Sequence, residues 1–136
     1  ARLSFILIRP GIFLRTVIIY VRVYSKERLS SYSLETQEKA CVDYAQRNGY
    51  RILKVFREGN VSARTFNRPE FQKMLEYIRA NKWKIKFLVV ADIGRLSGDP
   101  VGMQKLRHFL RKNGIRVISI TESMLRYSGK GAKTHH

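Results

Sequence analysis

Arg22, Arg64, Arg68 and Arg95 gather around the expected strand ends of this 136-residue chain, Arg22 and Arg95 close behind apolar runs and Arg64 and Arg68 in the polar stretch after another. Guanidinium forks bind phosphate oxygens bidentately and remain charged at working pH. Several of them at one edge of a sheet would make a phosphate cradle built from arginine alone. No competing chemistry has its parts. His108 falls inside a helical pattern, and His135 and His136 are terminal, so neither a metal site nor a Ser-His-Asp triad is spelled out. There is no GxGxxG, Walker or GxSxG pattern. The sequence therefore calls for no metal and no cofactor. The plain alternative is a set of solvated arginines on a basic protein.

Such a cradle requires elements to hold it. Val17 to Val23 is β-branched and almost continuously apolar, which suits a strand buried on both faces. Ser33 reads as the N-cap of a helix reaching about Asn48, with Leu34, Cys41, Tyr44, Ala45 and Asn48 on one stripe and Gly49 as its stop. Ile52 to Phe56 is a second strand, followed by a polar loop from Glu58 to Phe66. Asn67-Arg68-Pro69-Glu70 starts another helix, whose Phe71, Met74, Leu75 and Ile78 share a face. Phe87 to Ala91 is a third strand. Asp99-Pro100 opens a helix that buries Met103, Leu106 and Leu110 and stops at Gly114, and Arg116 to Thr121 is a fourth strand. This alternation implies parallel crossovers: an α/β three-layer sandwich with a mainly parallel sheet of four or five strands. Ligands meet such sheets at the carboxyl ends of the strands. That directs attention to Tyr24-Ser25, Glu58 to Arg64 and Asp92 to Asp99.

Composition narrows the partner. Twenty-seven Lys and Arg against ten Asp and Glu give a net charge of +17, more than solubility requires, and a polyanion such as DNA is the expected partner. A basic surface without nucleic-acid contact, or a fragment separated from an acidic part, would carry the same charge. The single cysteine, Cys41, excludes an intramolecular disulfide and fits a reducing, cytoplasmic setting. Leu3 to Val23 is mostly apolar, but it contains Arg9, Arg15 and Arg22, each costing about 2.5–3.5 kcal/mol at a bilayer centre. No membrane span is expected, and no signal peptide. Residues 1–16 read as an extension, an extra edge strand or a docked tail. Residues 17–123 read as the domain, and residues 124–136 as a basic flexible tail.

The motifs together resemble one family. Tyr20-Val21-Arg22-Val23 resembles the opening strand of the serine recombinase (resolvase/invertase) catalytic domain, Y-x-R-V-S-[ST]. Ser33-Leu34-Glu35-Thr36-Gln37 is similar to its S-L-x-x-Q helix start. Phe56-Arg57-Glu58-Gly59-Asn60-Val61-Ser62-Ala63 is similar to the acidic loop of the large serine integrases. Asn67-Arg68-Pro69-Glu70-Phe71 resembles their D-R-P-x-F. Asp92-Ile93-Gly94-Arg95-Leu96-Ser97-Gly98-Asp99 lies over K-L-D-R-L-S-R-D, and Gly114 to Ser119 with Thr121-Glu122 resembles the strand that follows. The order is right across about residues 17–123. A flavodoxin-like domain would instead carry an acidic or cofactor-binding edge.

The resemblance implies site-specific DNA recombination. A serine hydroxyl attacks a phosphodiester, a 5′-phosphoserine link stores the bond energy, and strands are exchanged in a tetramer without a metal or cofactor. It puts Arg22, Arg68 and Arg95 at the phosphate-binding positions, Gln37 and Ser62 at supporting polar positions, and Glu58 at an acidic position that usually holds Asp. It implies a homo-oligomer, dimer or tetramer, for the full-length protein. The departures fall on the chemistry. The nucleophile position holds Tyr24, with Ser25 adjacent, and Gly94 and Gly98 replace the Asp and the second Arg of the DRLxR pattern. Neighbouring strand residues face opposite ways, so Ser25 reaches the same point only if the strand ends before it. A tyrosine oxygen at 24 would sit several ångströms beyond a serine's, out of step with the arginines. The expectation is a recombinase fold impaired in cutting. The alternative is a non-enzymatic module that binds DNA or a sister recombinase.

Overall fold

The structure, a computed structural model, describes residues 15–23, 33–59 and 68–121. Four parallel strands lie in the order β2-β1-β3-β4. They are β1 (Thr16–Arg22), β2 (Arg51–Glu58), β3 (Phe87–Val90) and β4 (Arg116–Ser119), and the helices between them are α1 (Leu34–Arg47), α2 (Pro69–Ala80) and α3 (Pro100–Lys112). A 3₁₀ turn, Ile93–Arg95, follows β3. The expected three-layer α/β sandwich is present, with four strands among the described residues. The suggested extra strand within residues 1–16 lies outside them.

Strand composition follows sheet position. β1 and β3 are central and covered on both faces, so their side chains alternate between two cores. Ile18, Tyr20, Leu88 and Val90 pack with Met74 and Ile78 of α2 and with Leu106 and Leu110 of α3. Val17, Ile19, Val21 and Val89 pack with Cys41 and Ala45 of α1. Each aliphatic side chain buried in this way contributes roughly 1.5–3 kcal/mol. Burial pushes the Cys41 thiol up to about 12, which leaves it protonated and inert. β2 is an edge strand, exposed or half-buried except at Phe56 and Glu58. Its register to β1 skips Leu53, a bulge that keeps Phe56 and Glu58 facing inward.

Local signals set most boundaries. The Ser33 hydroxyl accepts the Thr36 amide at 3.2 Å, and Asp99 accepts the Gly102 amide at 2.8 Å, so both are working N-caps. Gly49 and Gly114 have φ of 71° and 81°, the left-handed turn that follows a helix C-cap. Three expectations change. β2 runs on to Glu58, which is strand and not loop. β4 ends at Ser119, and helix begins at 120. Asn48 is not on the buried stripe of α1; it is exposed, and its side chain caps the Tyr44 carbonyl at 2.8 Å.

Candidate functional site at the carboxyl rim

β1 outruns β3: their pairing ends at Ile19↔Val89, yet β1 continues to Arg22. Side chains take over the backbone groups there. Gln37, in the first turn of α1 and 1% exposed, donates from Nε2 to the Arg22 carbonyl at 2.7 Å. Its Oε1 accepts the Arg22 amide at 3.2 Å. One amide thus imitates a neighbouring strand and fixes the end of β1. Arg95, on the 3₁₀ turn, donates from Nη1 to the same Arg22 carbonyl at 2.8 Å.

Arg68 stands at the N-cap of α2 and bridges to that turn. It donates to the Leu96 carbonyl at 2.9 Å and to the Arg95 carbonyl at 3.1 Å. Its guanidinium lies 3.9 Å from the Phe71 ring centroid, a close cation–π contact. The result is a continuous run at one rim, from Arg68 to the Arg95 backbone and from the Arg95 side chain to the Arg22 backbone.

A buried carboxylate organises the same corner. Glu58 is 2% exposed and accepts from the Tyr20 hydroxyl at 2.8 Å, from the Phe71 amide at 2.9 Å and from the Glu70 amide at 3.1 Å. Arg68 makes no side-chain cap of its own helix, so Glu58, arriving from β2, caps α2 and meets the positive end of its dipole. The Tyr20 oxygen in turn accepts from Arg68 Nη2 at 3.1 Å and Nε at 3.3 Å. Burial pushes the Tyr20 hydroxyl well above its ordinary range, only partly offset by Arg68. It therefore stays a proton donor to Glu58.

Arg95 is only 6% exposed, and its Nε donates to Asp92 Oδ2 at 3.2 Å. A Cβ built on Gly94 would lie 3.0 Å from Asp92 Oδ1. The Asp92 carboxylate thus occupies the space into which a side chain at 94 would project. At Gly98 a Cβ would meet nothing within 4 Å.

The structure brings the side chains of Gln37, Arg68 and Arg95 together with the Arg22 backbone. Tyr24, Ser25, Ser62 and Arg64 lie outside the described residues. Sequence reasoning missed two members. Tyr20 had a usable signal, because a phenol on a strand covered on both faces requires a hydrogen-bond partner. Asp92 had one too, since its i, i+3 spacing to Arg95 becomes a contact once a helical turn forms. Among the described residues no group of three or more His, Cys, Asp or Glu side chains could hold a metal ion. No helix among them is long and apolar enough to cross a membrane.

The family model described as "Resolvase, N terminal domain" matches residues 17–134. The chain belongs to the resolvase family of serine recombinases. It is similar to the N-terminal catalytic domain of TP901-1 integrase, with 25% identity over 79% of this chain and 78% of that one and a TM-score of 0.68. Two other solved structures share the fold. A resolvase family site-specific recombinase from Streptococcus pneumoniae aligns at 23% identity, covering 79% of this chain and 72% of that one, with a TM-score of 0.70. The C-terminal catalytic domain of ISC1926 TnpA, an IS607-like serine recombinase, aligns at 17% identity, covering 89% and 88%, with a TM-score of 0.65. No curated protein sequence matches significantly. As a serine recombinase catalytic domain, the chain places its corner of arginines at the strand ends, where an α/β sheet presents its site.

Proposed function

We propose that this recombinase domain grips a DNA phosphodiester at the carboxyl rim with Arg22, Arg68 and Arg95, assisted by Gln37, Ser62 and Arg64, and that it does not cut the strand it holds. The observation that carries the reading is the hydrogen-bonded run from Arg68 through Arg95 to Arg22. It fixes the Arg68 and Arg95 cations and the backbone that carries Arg22 at the strand ends, and preorganised charge is usually the largest single contribution such sites make. In a competent site a serine oxygen would form the bond to phosphorus, its proton would leave, and the departing 3′ oxygen would be released. Here Tyr24 holds the nucleophile position and Ser25 is its neighbour.

The three departures are not equal. Asp92 stands in for the carboxylate missing at 94, because it already holds Arg95 Nε. The gap at Gly98 is open space, and each missing preorganised charge costs a factor of about 10²–10³ in rate. The nucleophile and the second arginine therefore limit this copy. In this reading the full-length protein works as a dimer or tetramer in the cytoplasm. Residues 1–16 are an extension, residues 17–123 the catalytic unit, and residues 124–136 a basic tail.

The test is a covalent adduct on a denaturing gel after incubation with supercoiled DNA. The unmodified chain and Tyr24→Ser should give none, whereas Tyr24→Ser with Gly98→Arg should give one. An adduct from the unmodified chain, abolished by Ser25→Ala, would overturn the impaired state. The alternative of a binding module without an enzymatic past in its site predicts no adduct from the double variant either.

A further inference from the structure

At the opposite end of the sheet, where the strands begin, Trp83 is the chain's only tryptophan and is 70% exposed. Its φ of 65° places a bulky aromatic residue in the left-handed region, which such residues avoid. Two contacts hold it there. Its amide donates to the Asn113 carbonyl at 3.2 Å, and its ring rests on Gly114, where a Cβ would come within 2.5 Å of Cε3 and 2.9 Å of Cζ3. One part of the ring is thus pressed against backbone while most of it faces water. Burial does not account for a large apolar side chain held outside by strained backbone, and strain of this kind points to function.

The surroundings are cationic. Lys84 and Lys86 lead into β3, and the Arg116 amide donates to the Lys86 carbonyl at 3.0 Å, which sets these segments side by side. Next to Gly114 a cleft of ≈ 330 Å³ is lined by Arg107, Arg111 and Arg116 over Leu110, Ile115 and Val117. None of these five cations forms an ion pair among the described residues. Residues 77–91 and 100–121, which frame the surface, contain no acidic residue; the two between them, Asp92 and Asp99, lie at the far rim. Arg111, in the last turn of α3, complements the helix dipole. Lys84, Lys86 and Arg116 sit at strand starts and have no such explanation.

We propose that this amino-end surface binds single-stranded nucleic acid. A base stacks on the open side of Trp83, and the adjoining phosphates follow Lys84, Lys86 and Arg116 into the arginine cleft. Indole stacking beside a cationic track is the physical basis of sequence-tolerant single-strand binding. A duplex, whose base faces are covered, cannot use the ring. The site lies across the sheet from the carboxyl rim and stands or falls independently of the reading given to that rim.

Because Trp83 is the sole tryptophan, its fluorescence reports the site directly. In the full chain a dT oligomer of about ten nucleotides should quench it saturably, and a duplex of equal length should need at least about tenfold more. Trp83→Gly, which relieves the backbone, should melt no lower than the unmodified chain yet bind labelled dT about tenfold more weakly by anisotropy. Lys86→Glu with Arg116→Glu should flatten the dependence of affinity on salt. Unchanged fluorescence on adding dT, equal dT affinity in Trp83→Gly, or quenching by duplex or by phosphatidylserine vesicles as strong as by dT would each overturn the proposal.

Discussion

The two ends of the sheet carry arginines in opposite states. At the carboxyl rim Arg68 and Arg95 are threaded into backbone carbonyls and carboxylates, and Glu58 and Gln37 are buried among them. At the amino end Arg107, Arg111 and Arg116 line an open cleft, and Trp83 is left outside. Charge alone therefore does not mark a site. What separates the ends is whether each cation has been given a position by partners that are themselves fixed. The rim has the rigidity expected of a place where reacting atoms must be aligned. The amino end leaves its cations open along a cleft, as the single-strand surface proposed above would need.

The largest effect should come at the rim. Glu58→Ala orphans the Tyr20 hydroxyl and two amides of α2 at once. Each buried unsatisfied group costs about 1–3 kcal/mol, so urea denaturation should show a loss of about 3 kcal/mol or more. A loss below about 1 kcal/mol would mean that this corner is as loose as the far end. Next, at the amino end, Gly114→Ala puts a Cβ against Trp83 and forces a side chain to φ 81°. A cost of about 1–2 kcal/mol is expected, together with a changed Trp83 emission spectrum. Gln37→Ala should cost about 1–2 kcal/mol through its two hydrogen bonds to Arg22, and it should speed hydrogen exchange of the Arg22 amide while leaving that of Arg116 unchanged.

The smallest effect involves Glu38, which follows Gln37 in α1 and pairs with Arg57 of β2. Its hydrogen bond from Arg57 holds its carboxyl below the usual range, against a smaller opposing effect of burial. A carboxylate lowered on folding contributes stability that is present above its unfolded value and is lost as pH falls through its folded value. The pair is partly exposed, so Arg57→Ala should cost under about 1 kcal/mol at neutral pH. The difference should disappear in acid, as paired denaturation curves would show.

Much of this was legible in the residues themselves. The alternation of Val17 to Val21, the caps at Ser33 and Asp99, and Gly114 after α3 are local signals, and they placed the layers and the carboxyl rim. The resemblance of Arg22, Gln37, Arg68 and Arg95 to a family pattern pointed to the same corner. What could not be read were the meetings between distant segments. Glu58 caps a helix that starts eleven residues later, beyond the reach of any capping pattern. Asp92 reaches Arg95 only because a 3₁₀ turn folds it back. The exposure of Trp83 depends on its contact with Gly114, thirty-one residues away. Periodicity carries no information about such contacts.

The central claim is that the rim arginines act as one phosphate cradle. The most direct measurement is a nuclear magnetic resonance titration of the labelled full chain with dimethyl phosphate, following the arginine Nε–Hε signals. The account predicts that the Arg22, Arg68 and Arg95 signals shift together with a single affinity, and that Arg95→Ala removes the response of the other two. Shifts confined to Arg107, Arg111 and Arg116, or rim signals that move with unrelated affinities, would contradict it.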